Sequence, residues 1–152
     1  NYVYKYTRDK ERSEEITQEV FIRVFRSKNS YSVKAKFSTY IYRIAVNLSI
    51  NEVRDRVRRK TDTTEEFPFL SRDKDNPEEI YSKSETEKLV LEAINKLPPK
   101  YREVIILCDL EELSYQQAGK ILNISIGTVQ SRLSRGRVKL KGILKETFYK
   151  ED

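Results

Sequence analysis

The sequence predicts an all-α protein made of two small helical domains that are joined by an acidic, flexible linker, with a helix-turn-helix in the second domain. Apolar residues recur at helical spacing over most of the 152 residues. Two basic zones are separated by an acid-rich stretch that contains Pro68 and Pro77, which is typical of a linker. We therefore expect one domain at residues 1–60, a linker at 61–79 and a second domain at 80–152.

Composition narrows the functional classes before any motif is considered. The formal charge of +6 weakly indicates a polyanionic partner. The chain has no histidine and a single cysteine, Cys108, so the commonest general base and metal ligands are missing. We therefore expect that the protein is not an enzyme and that it has no metal site and no cofactor. We expect Cys108 to be a small core residue. No apolar run approaches the ~20 residues of a membrane helix, and no secretory signal is visible, so a cytoplasmic protein without membrane insertion is expected.

The first long helix is predicted to begin at Ser13, which would cap it. Before it, three tyrosines alternate in a pattern that by itself indicates a strand, but the stretch is too short to assign one. The apolar arc of the helix comprises Ile16, Val20, Phe21, Val24 and Phe25. Gln18, Glu19 and Arg23 lie on its remaining surface, which is either an ordinary solvated face or a docking surface; the residues alone favour the solvated face.

The longest helix is predicted from Phe37 to about Lys60, after a polar loop at residues 27–36. Two apolar stripes indicate that it packs on two sides. A third face, within a sector of about 80° at helical spacing, comprises Tyr40, Arg43, Asn47, Asn51, Arg54 and Arg58. Aromatic rings stack on unpaired bases, amides bond base edges and arginines hold phosphates. A solvated basic helix is the alternative, and taken alone it is the commoner one.

The linker has two interpretations. Its negative charge would let it compete with nucleic acid for a positively charged channel, or it simply stays solvated. Phe67, Phe69 and Leu70 are apolar enough for part of it to dock.

The second domain is expected to contain a helix from near Ile80 to Leu97, a further helix opened by Pro99, and the helix-turn-helix at residues 114–137. Ser114 and Gln117 form a capping-box pattern at its first helix. Ser125 can cap the second helix, whose predicted buried stripe is Ile126, Val129, Leu133 and Leu140.

The opposite side of that second helix carries small hydroxyls, which allow close approach, and arginines that can fork onto guanine edges or phosphates. This combination is typical of a recognition helix in the major groove. The candidate DNA contacts are Ser125, Gly127, Thr128, Gln130, Ser131, Arg132, Ser134, Arg135 and Lys139.

Three segments, in this order and at this spacing, resemble the extracytoplasmic-function (ECF) class of bacterial sigma factors, the promoter-recognition subunits of RNA polymerase. They are EEITQEVFIRVF, then FSTYIYRIAVNLSINEVR, then INKLPPKYREVIILCDLEELSYQQAGKILNISIGTVQSRLSRGRVKL. The helix-turn-helix alone is shared with many regulators, but the combination is specific.

The resemblance implies a role for each part of the chain. The helix at residues 16–25 would dock on the clamp coiled coil of the largest polymerase subunit, with Gln18, Glu19, Phe21 and Arg23 as contacts. The long helix would open the minus-ten element, and the loop before it would capture a flipped base. The implied contacts are Phe37, Tyr40, Arg43, Asn47, Asn51, Arg54 and Arg58. The second domain would recognise the minus-thirty-five duplex, and the linker would thread through the polymerase toward the RNA path.

The implied partners are core RNA polymerase, through its clamp coiled coil and its flap, promoter DNA in duplex and single-stranded form, and an anti-sigma factor. The implied location is the cytoplasm, at the nucleoid. Two features depart from the family pattern. Tyr40 stands where members usually have tryptophan, and only residues 1–12 precede the clamp-binding segment, so we expect the natural N-terminus to be missing.

Two other classes compete with a sigma factor. A stand-alone helix-turn-helix regulator would bind duplex DNA as a dimer, but it would not explain the third face of the long helix, and no dimerisation seam is visible. A nucleic-acid enzyme lacks the side chains that its chemistry would need.

Overall fold

A computed structural model describes residues 1–32, 36–62 and 85–148, and these residues are helical with short turns, as the all-α prediction requires. The chain divides into two compact units, Asn1–Asp73 and Lys74–Asp152. The helices are α1 (Tyr2–Thr7), α2 (Lys10–Arg26), α3 (Phe37–Asp62), α4 (Glu85–Asn95), α5 (Pro99–Ile105), α6 (Tyr115–Leu122) and α7 (Ile126–Phe148). Nearly all of the predicted linker, and the predicted helix start at Ile80, lie outside the described residues. None of the helices described is long and apolar enough to cross a membrane.

The N-terminal tyrosines form a helix whose residues enter the core of the first unit. Tyr2 and Tyr6 are almost fully buried, and their rings stack with centroids 5.8 Å apart. The rings of Tyr2 and Tyr42, the latter in α3, are nearly perpendicular, with centroids 6.3 Å apart. The tyrosines that face the core are four residues apart, which is helical spacing, so the alternation in the sequence carried no strand signal.

The predicted start of α2 is wrong by one turn. Its N-cap is Asp9, whose Oδ1 accepts a hydrogen bond from the Arg12 backbone N–H at 3.0 Å. Ser13, the predicted cap, lies buried inside the first turn and donates to the Lys10 carbonyl at 2.7 Å. A carboxylate at the N-terminus also interacts favourably with the helix dipole, which favours Asp9 over the later serine.

The predicted apolar arc of α2 is only partly buried. Ile16 and Val20 pack in the core, whereas Phe21 and Phe25 are 60% and 67% exposed. Helix periodicity identifies the apolar face of α2, but the small unit buries only part of that face, and Phe21 and Phe25 lie on the part that stays exposed.

An ion-pair cluster around Glu52 joins α2 to α3. Arg12 donates from Nε to Glu52 Oε1 at 3.2 Å and from Nη2 to Oε2. Arg56 pairs with Asp9, the α2 cap, at 3.2 Å, and Arg59 approaches Glu52 at 3.5 Å. The hydrogen bonds from Arg12 hold the pKa of Glu52 below its usual range. Two arginines of α3 are therefore engaged within the fold.

The second unit is organised around α5, whose buried apolar side chains pack against α4 and α7. Pro99 occupies the first turn of α5, as predicted, and Val104, Ile105 and Leu107 are fully buried. The chain continues from α5 into a π-helical turn, Ile106–Leu110. Cys108 lies in this turn and is only half-buried, which corrects the prediction of a core residue. The prediction assumed α-helical spacing, whereas Cys108 lies where the chain has left the regular α5 helix for the π-helical turn.

Candidate nucleic-acid and protein interfaces

Both predicted caps of the helix-turn-helix are present. The Ser114 hydroxyl accepts from the Gln117 backbone N–H at 3.1 Å, and the Gln117 side chain accepts from the Ser114 N–H at 2.9 Å, completing the capping box. At α7, the Ser125 Oγ accepts from the Thr128 N–H at 3.1 Å. Each cap satisfies backbone donors at a helix start and so determines where the helix begins.

The turn between α6 and α7 depends on a close backbone approach. Asn123 ends α6 in the left-handed conformation, with φ of 56°, and Ile124 donates its N–H to the Gly119 carbonyl at 3.0 Å. A Cβ at Gly119 would lie 2.9 Å from the Ile124 carbonyl oxygen. Asparagine tolerates the left-handed region, and glycine removes the clash, so these two residues set the angle between the helices.

The buried stripe of α7 agrees with the prediction at its centre but not at its two ends; at the C-terminal end, Leu140 is only half-buried. Val129 and Leu133 are fully buried, whereas Ile126 is 47% exposed. Ile126 lies in the first turn of α7, where the neighbouring helices do not cover it. Gly136 is also buried, because α5 approaches α7 there: a Cβ at Gly136 would lie 3.2 Å from the Tyr101 Cβ.

The predicted DNA-contacting side of α7 is open to solvent. Most of its members are exposed: Ser125, Gly127, Gln130, Ser131, Ser134, Arg135 and Lys139. Thr128 and Arg132 are half-buried. Short hydroxyl contacts tie the first turns together, with Ser125 Oγ 2.8 Å from Thr128 Oγ1 and Ser131 donating to the Thr128 carbonyl at 3.1 Å. These exposed residues form a small-residue surface that a DNA groove can approach closely.

Beneath this surface lies a buried carboxyl group. Glu103 in α5 is 9% exposed, and burial raises its pKa to about 7, although the charges of Arg132 and Arg102 oppose the rise. Arg102 itself donates to the Leu97 carbonyl at 3.2 Å and to the Asn95 carbonyl, so it satisfies the C-terminal end of α4.

In the first unit, the third face of α3 is exposed as its spacing suggested. Arg43, Asn47, Asn51, Arg54 and Arg58 are all exposed. Arg54 donates to the Asn51 Oδ1 at 2.9 Å, which orients that amide. Tyr40 is half-buried, and its hydroxyl hydrogen-bonds with that of Ser27 at the end of α2. The face is thus an exposed row of amides and guanidinium groups that ends at an anchored ring.

An aromatic cluster stands at the end of this face. The ring of Tyr31 lies 5.1 Å from that of Tyr40 and meets Phe37 edge-on at 5.8 Å. Phe37 is 53% exposed. The sequence analysis did not predict Tyr31 as a site residue. The feature that could have indicated it is an aromatic side chain in an otherwise polar loop just before Phe37. Residues 33–35 of that loop lie outside the described residues.

The predicted polymerase-contacting residues share the exposed side of α2. Gln18 is exposed, Phe21 is 60% exposed, and Arg23 pairs with Glu19 at 2.7 Å. Ile22 and Phe25, 44% and 67% exposed, extend this surface and were not predicted as contacts. Exposed apolar side chains that are bordered by ion pairs are typical of a protein-docking surface.

Family models match both units of the chain. The description "Sigma-70 region 2" matches residues 1–59, and "Sigma-70, region 4" matches residues 87–140. The chain also resembles solved structures. A sigma factor RpoE from Bartonella quintana, in complex with the anti-sigma factor NepR, has a TM-score of 0.72 at 22% identity and covers 95% of this chain and 88% of its own. CnrH, in complex with the cytosolic domain of CnrY, has a TM-score of 0.66 at 20% identity over 95% of this chain and 79% of its own.

Curated relatives are named as ECF sigma factors. SigE of Mycolicibacterium smegmatis is 37% identical over 93% of this chain, which spans only 55% of the length of SigE. SigW of Bacillus subtilis is 38% identical over 88% of this chain and 76% of its own length. The sigma-E factor of Escherichia coli K12 is 34% identical over 81% and 69%, respectively. The chain therefore belongs to the extracytoplasmic-function sigma factors of bacterial RNA polymerase.

Proposed function

We propose that this sigma factor directs RNA polymerase to its promoters by contacting DNA at two points. The second unit would bind the minus-thirty-five duplex, and the first unit would open the minus-ten element. The observation that carries the proposal is the presence in one chain of two chemically different DNA-facing surfaces. One surface has small hydroxyls and arginine on a helix-turn-helix, and the other has amides and guanidinium groups beside a cluster of aromatic rings.

The exposed side of α7 suits duplex DNA. Ser131 and Ser134 are small enough to let the helix backbone approach base edges, and Gln130 and Arg135 are exposed with side chains long enough to reach them. Arginine bonds guanine O6 and N7 with two parallel donors, a geometry that lysine lacks. The N-terminal end of α7, where Ser125 is the cap, is exposed, and a helix-turn-helix contacts base edges with the N-terminal residues of its second helix.

The exposed face of α3 suits a separated strand. Asn47 and Asn51 can bond base edges or backbone, and Arg43, Arg54 and Arg58 can hold successive phosphates. Extruding one base from a duplex costs a few kcal/mol. The cluster of Tyr31, Phe37 and Tyr40 offers ring surfaces on which an extruded base could stack, worth about 1–3 kcal/mol per base. Stacking and phosphate contacts together can offset the opening cost.

The exposed side of α2 is the surface we assign to core polymerase, at its clamp coiled coil. Its centre is apolar, with Phe21, Ile22 and Phe25, whereas the DNA-facing surfaces are polar or cationic. The flap would contact the second unit. An anti-sigma factor would act by covering these surfaces, in keeping with the complexes in which RpoE and CnrH were solved. In this proposal residues 1–60 and 80–152 are the two functional domains, and residues 61–79 connect them. The protein would act in the cytoplasm at the nucleoid.

Run-off transcription with core polymerase tests the proposal as a whole. The chain should yield a promoter-dependent transcript from templates selected by genome-wide binding, whereas core polymerase alone should not. The absence of such a product on every selected template would refute the proposed function.

Permanganate footprinting of the open complex tests the division of labour. Replacing Asn47 and Asn51 with alanine should reduce the reactivity of unpaired thymines more than it reduces duplex binding. Arg58→Ala should behave similarly, and Arg59→Ala is its matched control, because Arg59 is an exposed arginine of α3 that is not among the proposed DNA contacts. Unchanged reactivity in the double asparagine variant would contradict the assignment of melting to α3.

A further inference from the structure

Two lysines from different helices meet at one tyrosine ring in the second unit. The Lys100 Nζ lies 5.1 Å from the centroid of the Tyr101 ring, and the Lys139 Nζ lies 6.0 Å from the same centroid. Lys100 is in the first turn of α5, and Lys139 is in the fourth turn of α7. Both lysines are exposed, whereas Tyr101 is only 7% exposed. One buried ring thus gathers two solvent-facing cations into a small patch.

The core fixes the spacing of these cations. At Gly136 the backbone of α7 approaches α5 so closely that a Cβ would lie 3.2 Å from the Tyr101 Cβ and 3.4 Å from Ile105. Lys139 is one turn beyond Gly136 on α7, and Lys100 adjoins Tyr101 on α5. The two lysines therefore project from backbones that are held rigidly together, which limits the entropy lost when both bind one ligand.

The patch has no internal countercharge. No carboxylate of the described residues lies within ion-pair distance of either ammonium group, and both groups contact the Tyr101 ring. A cation over an aromatic ring gains about 0.5–1 kcal/mol at an exposed site, which positions the ammonium group without neutralising it. Two neighbouring like charges that are held in this way form a site for an anion.

The position of the patch identifies the anion. Lys139 follows Arg135 by one turn, on the side of α7 that we assign to the promoter groove. Duplex DNA carries one negative charge per about 1.7 Å of axis, and elements that flank a recognition helix fix its register through phosphate contacts. We propose that Lys100 and Lys139 form a two-point clamp on the phosphate backbone beside the groove that α7 occupies, with Tyr101 as the buried support for both ammonium groups.

The clamp rests on the proposed binding of the minus-thirty-five duplex and extends it. It adds Lys100, which lies outside the helix-turn-helix, as a DNA contact. It also assigns Lys139 to phosphate rather than to a base edge. The clamp should thus contribute to affinity equally on every sequence and contribute nothing to base preference.

The salt dependence of holoenzyme binding tests the clamp. For Lys100→Gln, the plot of log binding constant against log salt concentration should become shallower by about 0.9, the value for one lost phosphate contact. The fold-loss in affinity should be the same on a matched promoter and on one with a scrambled upstream element. Lys100→Arg should restore the slope. Lys96→Gln is the matched control, since Lys96 is an exposed lysine at the end of α4 and should leave the slope unchanged.

The outcomes separate the clamp from the proposed function. An unchanged slope for Lys100→Gln, in a holoenzyme that still prefers the matched promoter, would overturn the clamp alone. Equal changes for Lys100→Gln and Lys96→Gln would also overturn it, because they would indicate a diffuse charge effect. A wild-type holoenzyme with no preference for any selected promoter would overturn the proposed function and the clamp together.

Discussion

Arg137 holds Asp109 through two parallel hydrogen bonds, from Nε to Oδ2 at 3.0 Å and from Nη2 to Oδ1 at 2.6 Å. The pair joins the middle of α7 to the π-helical turn that follows α5. Arg135, only two residues away, is exposed, and no carboxylate of the described residues pairs with it. Two arginines of one helix therefore have different roles: Arg137 stabilises the fold, and Arg135 is exposed to solvent.

We predict that Arg135→Ala weakens promoter binding at the upstream element and leaves affinity for core polymerase and the free energy of unfolding unchanged. The loss of one bidentate base contact corresponds to about 1–3 kcal/mol, which should relax the preference for the matched element. Promoter affinity and core affinity, measured side by side with purified polymerase, check this. Equal loss of both affinities would contradict it.

Arg137→Ala is the matched control and has its own expected result. It should lower the free energy of unfolding by about 0.5–1 kcal/mol, a small value because both side chains are partly exposed, at 52% and 30%. Denaturant unfolding measures this change. A double-mutant cycle with Asp109→Asn should return a coupling energy of that size, and a coupling of zero would show that the pair does not stabilise the fold.

The contrast between these arginines shows what local sequence can predict. Each of the caps at Ser114 and Ser125 joins residues that are three apart, so both caps can be predicted from the local sequence. The pair between Arg137 and Asp109 joins residues 28 apart and depends on how α7 packs on the π turn. Nothing in the local pattern distinguishes Arg137 from Arg135, so only the fold separates them.

Exposure was the other limit of prediction. Periodicity correctly placed Val129 and Leu133 in the core, and it correctly placed Asn47 and Asn51 on an open face. It failed at Ile126, because an apolar residue is buried only where a neighbouring helix reaches it. For the same reason the sequence did not predict the aromatic cluster around Tyr31, because that cluster forms only where a loop packs against α3.

We predict that the first unit loses stability in acid through Glu52. Hydrogen bonds from Arg12 depress the pKa of Glu52, so its contribution is present above the unfolded value of about 4.5 and is lost as the pH falls through the folded value. Hydrogen exchange of α2 and α3, measured between neutral and acidic pH, should show this loss.

Glu52→Gln should remove that part of the acid dependence and should already cost roughly 0.5–1.5 kcal/mol at neutral pH, because it removes the charged acceptor of the Arg12 Nε and Nη2 while Glu15 still pairs with Nη1. Glu14→Gln, an exposed change on α2, is the control and should do neither. If both variants show the wild-type acid profile, the cluster does not act as described.

Glu103 should have the opposite dependence on pH. Burial raises its pKa from 4.5 to about 7, so the folded second unit binds more protons than the unfolded chain across that window. Stability from this group is therefore present below about pH 4.5 and is lost as the pH rises toward 7. Glu103→Gln should stabilise the second unit at pH 8, by roughly 3 kcal/mol at most at 1.36 kcal/mol per pKa unit.

Denaturant unfolding of the variant and the wild type at pH 5 and pH 8 measures this effect. The gain should be much smaller at pH 5, where most of the wild-type side chains are already protonated in the folded state. Glu92→Gln, an exposed change on α4, should give the same small difference at both pH values. A gain for Glu103→Gln that does not depend on pH would contradict the raised pKa.

Two glycine-to-alanine changes should have opposite signs. At an exposed position inside a helix, alanine is more stabilising than glycine by roughly 0.5–1 kcal/mol, because glycine loses more backbone entropy on folding. At Gly142 in α7 a Cβ meets nothing within 4 Å, so Gly142→Ala should stabilise the second unit by about that amount. At Gly119 the Cβ would lie 2.9 Å from the Ile124 carbonyl oxygen, which is backbone and cannot rotate away. Gly119→Ala should therefore destabilise the unit despite the gain in helix propensity.

The functional consequence distinguishes strain in the turn from a general loss of stability. To relieve the clash, the turn that ends at Ser125 must open, and α7 must then tilt relative to α6. Promoter affinity of Gly119→Ala should fall even at a temperature where the variant is fully folded, whereas that of Gly142→Ala should equal the wild type. If Gly119→Ala bound promoters normally while folded, the turn would accommodate the methyl group without moving α7, and the close approach at Gly119 would not set the angle of the recognition helix.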